Sequence, residues 1–205
     1  MKQYKINEIF YSLQGEGFYT GVPAAFIRFS GCNLRCPFCD TDHGAGTIMS
    51  PDEIISAIAA YPSCHVVLTG GEPSLFVDDA LVSALHGAGR YIAVETNGTH
   101  ALPAGIDWIT CSPKYGLAQA GDWPDAMESA ASDIRLDRCD ELKVVYIGQD
   151  MSVYEKIKAA HHFLQPCDTG DPDENSRLLS EAIEYCKAHP SWRLSLQTHK
   201  LMGIR

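Results

Sequence analysis

Short apolar segments rich in β-branched residues, separated by amphipathic helical patterns, predict an α/β fold on a parallel sheet: an incomplete, TIM-like β/α barrel of about six units. Three observations point there. Several strands read as apolar on both faces, as in a parallel sheet covered by helices. The segments between several of them repeat at helical spacing. The 205 residues are few for a closed eight-fold barrel, which usually takes ~200–400.

In chain order, strands are expected at 24–29 (AAFIRF), 65–70 (HVVLTG), 91–96 (YIAVET), 107–112 (DWITCS), 141–146 (ELKVVY), 161–166 (HHFLQP) and 192–197 (WRLSLQ). The helix over 50–61 opens with Ser50 as cap, Pro51 at its first position and Glu53 three residues after the cap, the pattern of a capping box. The helix over 78–89 keeps Leu81, Val82 and Leu85 on one face and ends on glycine. A third covers 176–189. The stretches 112–140 and 166–175 are the least regular; PCDTGDPDEN has a loop's composition, and 116–133 carries no usable pattern. No linker or repeat divides the chain, so 1–205 is expected to be one domain.

Composition bounds the function. With 45% hydrophobic and 20% charged residues, the chain is that of an ordinary globular protein. Its start lacks a signal-peptide apolar run, and no stretch approaches the ~18 apolar residues of a membrane span, so a cytoplasmic protein without a membrane partner is expected. A net charge of −10, from 26 acidic against 16 basic residues, disfavours nucleic acid, whose binding rests on phosphate neutralisation. A small-molecule substrate suits the chain better.

Eight cysteines in a chain without an export signal read as metal ligands or reduced core thiols. Cys64, Cys111, Cys139, Cys167 and Cys186 stand singly and read as small buried hydrophobes. Cys32, Cys36 and Cys39 differ: "SGCNLRCPFCDT" (30–41) spaces them C-x3-C-x2-C. Three thiolates hold three irons of a four-iron, four-sulfur cluster and leave one iron open, the arrangement of a catalytic metal. Zinc competes; it needs a fourth ligand, and Asp40, Asp42 and His43 stand near. A second motif, "TGGEP" (69–73), ends a strand on paired glycines, where backbone approaches a ligand with no Cβ between, and a bare turn with a proline stop competes with that.

Together the two motifs resemble the radical S-adenosylmethionine superfamily. The resemblance implies that the cysteine loop carries a 4Fe–4S cluster, with Phe38 before the last cysteine on the cofactor side. The open iron chelates the methionyl amino and carboxylate groups, and Gly70, Gly71 and Glu72 hold the amino group. It implies an external low-potential reductant, such as flavodoxin or ferredoxin, and a 5′-deoxyadenosyl radical.

Four more stretches, "SLQGEG" (12–17), "FIRFSGCN" (26–33), "ETNGT" (95–99) and "WRLSLQTHK" (192–200), resemble the branch that contracts 6-carboxy-5,6,7,8-tetrahydropterin to 7-carboxy-7-deazaguanine. Ammonia is lost, in queuosine and 7-deazapurine biosynthesis, and S-adenosylmethionine is reused. This implies Leu13, Gln14, Gly15, Glu16, Arg28, Thr69 and His199 at the substrate, with Glu95 and His199 catalytic. It places Ser112, Pro113 and Lys114 with Gln165, Pro166, Cys167 and Asp168 on the adenosyl side, Mg2+ on Thr41, and two copies in a homodimer. The chemistry agrees: Gln14, Glu16 and Glu95 suit the hydrogen-bonding edge of a pterin, and Arg28 offers a planar fork to a carboxylate. Arg28 in a surface ion pair and Thr41 as a turn cap are the alternatives, while His65, His161 and His162 read as strand-end residues without function. The close in "GIR" at Arg205 departs from a family whose terminal carboxylate reaches the site. A glycyl-radical activase, or a non-catalytic iron–sulfur or zinc protein, would share the cysteine loop without the residues for a carboxypterin.

Overall fold

Among the described residues, nine strands make one sheet in the order β3-β1-β2-β4-β5-β6-β7-β8-β9. They are β1 (Tyr4–Leu13), β2 (Pro23–Phe29), β3 (Thr47–Met49), β4 (His65–Gly70), β5 (Tyr91–Thr96), β6 (Trp108–Cys111), β7 (Glu141–Tyr146), β8 (His161–Pro166) and β9 (Trp192–Leu194). The α-helices among the described residues are α1 (Pro51–Ile58), α2 (Asp79–Gly87), α3 (Pro172–Ala188) and α4 (Thr198–Met202). The computed structural model describes residues 2–39, 44–115, 133–136 and 138–205. From β2 through β9 every pairing is parallel, while β1 runs antiparallel to β2 and β3. Seven parallel strands in an open row are the predicted incomplete barrel.

Strand parity builds the site. Ile27, Leu68, Ile92 and Val94 are fully buried in the core under α1 and α2, which contribute Ile54, Ile58, Leu81 and Leu85. Leu142, Val144 and Leu164 do the same under Leu178 and Ala182 of α3. Because side chains alternate along a strand, their neighbours Arg28, Thr69, Glu95, Lys143 and Gln165 turn to the concave face. The register lines up Arg28 with Thr69 and Val145 with Gln165.

β1 and β3 were not expected, and β1 shows why. A bulge between Ile6 and Glu8 shifts its register on β2, so Tyr4 and Ile6 join the outer core while Phe10 joins Phe26, Val67 and Ala93 inside. One extra residue reverses the face and erases the alternation that marks a strand. α1 has the expected capping box of Ser50 and Glu53. α3 begins inside the stretch expected to be a loop, because Asp171 accepts from the N–H groups of Asp173 and Glu174, with Pro172 in the first turn. The strand expected over 192–197 stops at Leu194, and the chain turns into α4. Cys111 and Cys167 are buried, but Cys64 is exposed, a correction to the uniform reading of the single cysteines. At the base, His65 stacks on Tyr91 and His161 lies against Phe18 and Trp108.

Candidate active site

A cavity of about 270 Å³ opens on the concave face. Cys32, Cys36 and Cys39 border one side of it together with Phe38, Gly70, Gly71, Glu72, Ser112 and Lys114. Leu13, Gln14, Gly15, Glu16, Arg28, Thr69, Glu95, Gln165 and His199 complete the predicted part of the lining. Pro113, Pro166, Cys167 and Asp168 are not in the lining; the Asp168 carboxylate pairs with Lys200 at 2.6 Å, which holds it well below its ordinary pKa. Thr41, with Asp40, Asp42 and His43, lies outside the described residues.

The cysteine loop is fixed from two directions. Backbone bonds from Gly71 N–H to Phe29 O and from Glu72 N–H to Gly31 O, both 2.9 Å, stitch the glycine pair to the loop's start. A Cβ on Gly71 would lie 1.9 Å from the Gly31 carbonyl oxygen, so only glycine permits the approach. On the other side, Asn33 donates to Thr99 Oγ1 at 2.9 Å and accepts from Asn97 Nδ2 at 3.0 Å. Glu72 binds the same turn: its carboxylate is buried and accepts from Thr96 Oγ1 at 2.5 Å, Asn97 N–H at 2.7 Å and Ser74 N–H at 3.0 Å. No disulfide joins the three cysteines to one another. Burial pushes Cys36 up to about 11, despite Lys114 nearby, so a metal must displace a proton here. Among the described residues no three His, Cys, Asp or Glu side chains converge on a single-ion position.

The floor is an ionic network. Lys143 Nζ donates to Glu16 Oε2 at 2.5 Å and lies 3.7 Å from Glu95 Oε1. Gln197 Nε2 supports the other Glu16 oxygen at 3.0 Å, while Gln14 and Thr69 each donate to Glu95 at 3.0 Å. Burial alone would raise Glu16 and lower Lys143. Their mutual attraction overrides it, so the carboxyl is held down and the ammonium is held up. Gly15 explains the "GEG" spacing: its carbonyl accepts from Thr198 at 2.9 Å, and a Cβ there would meet His199 Nδ1 at 2.2 Å.

Lys143, Gln197, Asn33 and Asn97 carried no assigned role in the sequence. A signal existed for Lys143: it alternates with Leu142 and Val144, which puts an ammonium on the concave face once the apolar residues face the helices. At the mouth, Phe10, Phe26 and Arg205 join Arg28 in the lining, the last by a chain reversal that no local pattern announces.

An open parallel barrel with three thiols and a paired-glycine turn at one cavity defines a radical S-adenosylmethionine protein, and residues 26–116 match that superfamily. A 7-carboxy-7-deazaguanine synthase of Bacteroides thetaiotaomicron is 56% identical over 201 residues, 98% of each chain. One from Bradyrhizobium diazoefficiens is 43% identical, over 98% of this chain and 99% of its own. The crystal structure of QueE from Escherichia coli superposes with a TM-score of 0.72 at 28% identity, covering 95% of this chain and 93% of that one. The chain belongs to the 7-carboxy-7-deazaguanine synthase family.

Proposed function

We propose that the protein converts 6-carboxy-5,6,7,8-tetrahydropterin to 7-carboxy-7-deazaguanine with loss of ammonia, in queuosine or 7-deazapurine biosynthesis. The observation that carries this reading is one cavity with thiols on its wall, paired carboxylates on its floor and a guanidinium at its mouth. The cofactors are a 4Fe–4S cluster and S-adenosylmethionine, whose chemistry when bound is to supply a 5′-deoxyadenosyl radical for hydrogen abstraction.

The chain's own residues orient the substrate. Glu16, kept anionic by Lys143, and Glu95 accept N–H groups of the pterin edge. An analogue lacking those groups forfeits these hydrogen bonds and binds more weakly. Arg28 forks to the substrate carboxylate at the mouth. His199, pressed against Gly15, donates to the bound substrate. Gly70, Gly71 and Glu72 face the methionyl group, with Phe38, Ser112 and Lys114 on the adenosyl side. We assign magnesium to Thr41, because a hydroxyl with a substrate carboxylate and water suits a hard cation. A flavodoxin or ferredoxin in the cytoplasm supplies the electron, and the working unit is a homodimer.

Anaerobic reconstitution with iron and sulfide, then reductant, S-adenosylmethionine and the carboxypterin, tests the reading. The expected product is the deazapurine acid, formed with little net consumption of S-adenosylmethionine. A colourless protein holding one zinc, or 5′-deoxyadenosine release without any deazapurine, overturns it.

A further inference from the structure

Resting on that reading, we propose that Arg205 is a second cation reading the substrate's carboxylate, acting with Arg28 at the mouth of the cavity. Both side chains line it. Both guanidiniums lie over the ring of Phe10, with Cζ 5.6 Å from its centroid for Arg28 and 5.0 Å for Arg205. Between them stands one carboxylate: Glu8 Oε1 is 3.3 Å from Arg28 Nε, and Glu8 Oε2 pairs with the Arg205 guanidinium. Ser12 Oγ donates to the Arg205 carbonyl at 2.6 Å and anchors its backbone.

Two guanidiniums face one side-chain carboxylate at the mouth. Arg28 Nε is buried beside Glu8 and makes no hydrogen bond of good geometry. The floor is the reverse, with Glu16 and Glu95 against Lys143. Carboxylates at the floor and guanidiniums at the mouth fit a ligand with an N–H edge at one end and an anion at the other. Glu8 marks where a carboxylate sits between the two forks, and planar guanidiniums suit such a group better than ammonium ions do.

The test measures binding to the reconstituted holoenzyme with S-adenosylmethionine and no reductant, so that no turnover occurs. The probes are 6-carboxy-5,6,7,8-tetrahydropterin and 5,6,7,8-tetrahydropterin, followed by calorimetry. Arg205→Ala is expected to weaken the carboxylated ligand ~5-fold, as suits a largely exposed ion contact, and to leave the other unchanged. Equal weakening of both would mean that Arg205 only docks the chain's last turn, and no change in either would remove it from recognition; each result overturns the proposal. If the wild-type protein binds neither pterin and forms no deazapurine, the functional reading itself fails. Wild-type binding with an unaltered variant sinks the Arg205 role alone.

Discussion

Replacing Lys143 by methionine leaves the Glu16 carboxylate without the ammonium it faces at 2.5 Å. The two side chains are 6% and 16% exposed, so bulk water compensates little. Breaking a buried pair by removing one partner costs ~3–5 kcal/mol. The lower end applies, because Gln197 still donates to Glu16 and methionine fills the stem's volume. For a chain of this length ~3 kcal/mol lowers Tm by roughly 6–12 °C, read by calorimetry on the wild type and the variant. The pH dependence has a fixed sign. Glu16 is held below its ordinary value of 4.5, so its contribution is complete above that value and is lost as pH falls through the depressed one. Lys143 is held above 10.5, so its share persists below that value and is lost as pH rises through the raised one. The Tm gap should therefore hold steady from about pH 5 to about pH 9 and narrow in acid. Adding Glu16→Gln should recover much of the loss, since a neutral amide does not require the cation. A gap below about 2 °C at neutral pH, or one that widens in acid, would refute the ionic account of the floor.

Two further outcomes concern the cysteine loop. Asn33→Ala removes two hydrogen bonds to the turn at 97–99, worth ~1 kcal/mol each, and should lower iron and sulfide retained after reconstitution while global Tm moves by only a few degrees; unchanged iron content would count against the staple. Gly71→Ala forces a methyl into the Gly31 carbonyl and should disorder the loop, seen as a loss of visible cluster absorbance, whereas Gly87→Ala, with nothing within 4 Å of the added Cβ, should not.

How much of this was legible in the sequence depended on whether a feature was local. The parallel strands and α1 could be read because apolar runs and a capping box are written in consecutive residues. β1 could not, because its bulge moves Tyr4 and Phe10, six residues apart, onto opposite faces. The extended α3 was hidden by the composition of its first turn, where Asp171 and Pro172 resemble loop residues and act as cap and starter. The cysteine spacing pointed to the cavity directly. The partners of Asn33, Glu16 and Arg28 lie 64, 127 and 20 positions away in the chain, and only tertiary contact defines them. Glu72 shows the limit most clearly. Its motif suggests a ligand for a cofactor ammonium, while its carboxylate also ties the glycine turn to the Thr96 hydroxyl and the Asn97 N–H.

The wall carrying Gly15 and Glu16 is held by residues 183 and 181 positions later in the chain, through the bonds from Thr198 to the Gly15 carbonyl and from Gln197 to Glu16. A nascent chain therefore displays its three thiols long before it can enclose a pterin. Any cluster loaded at that stage sits in a half-built chamber, so the arrival of Gln197 and Thr198 decides when radical chemistry can be sheltered from solvent.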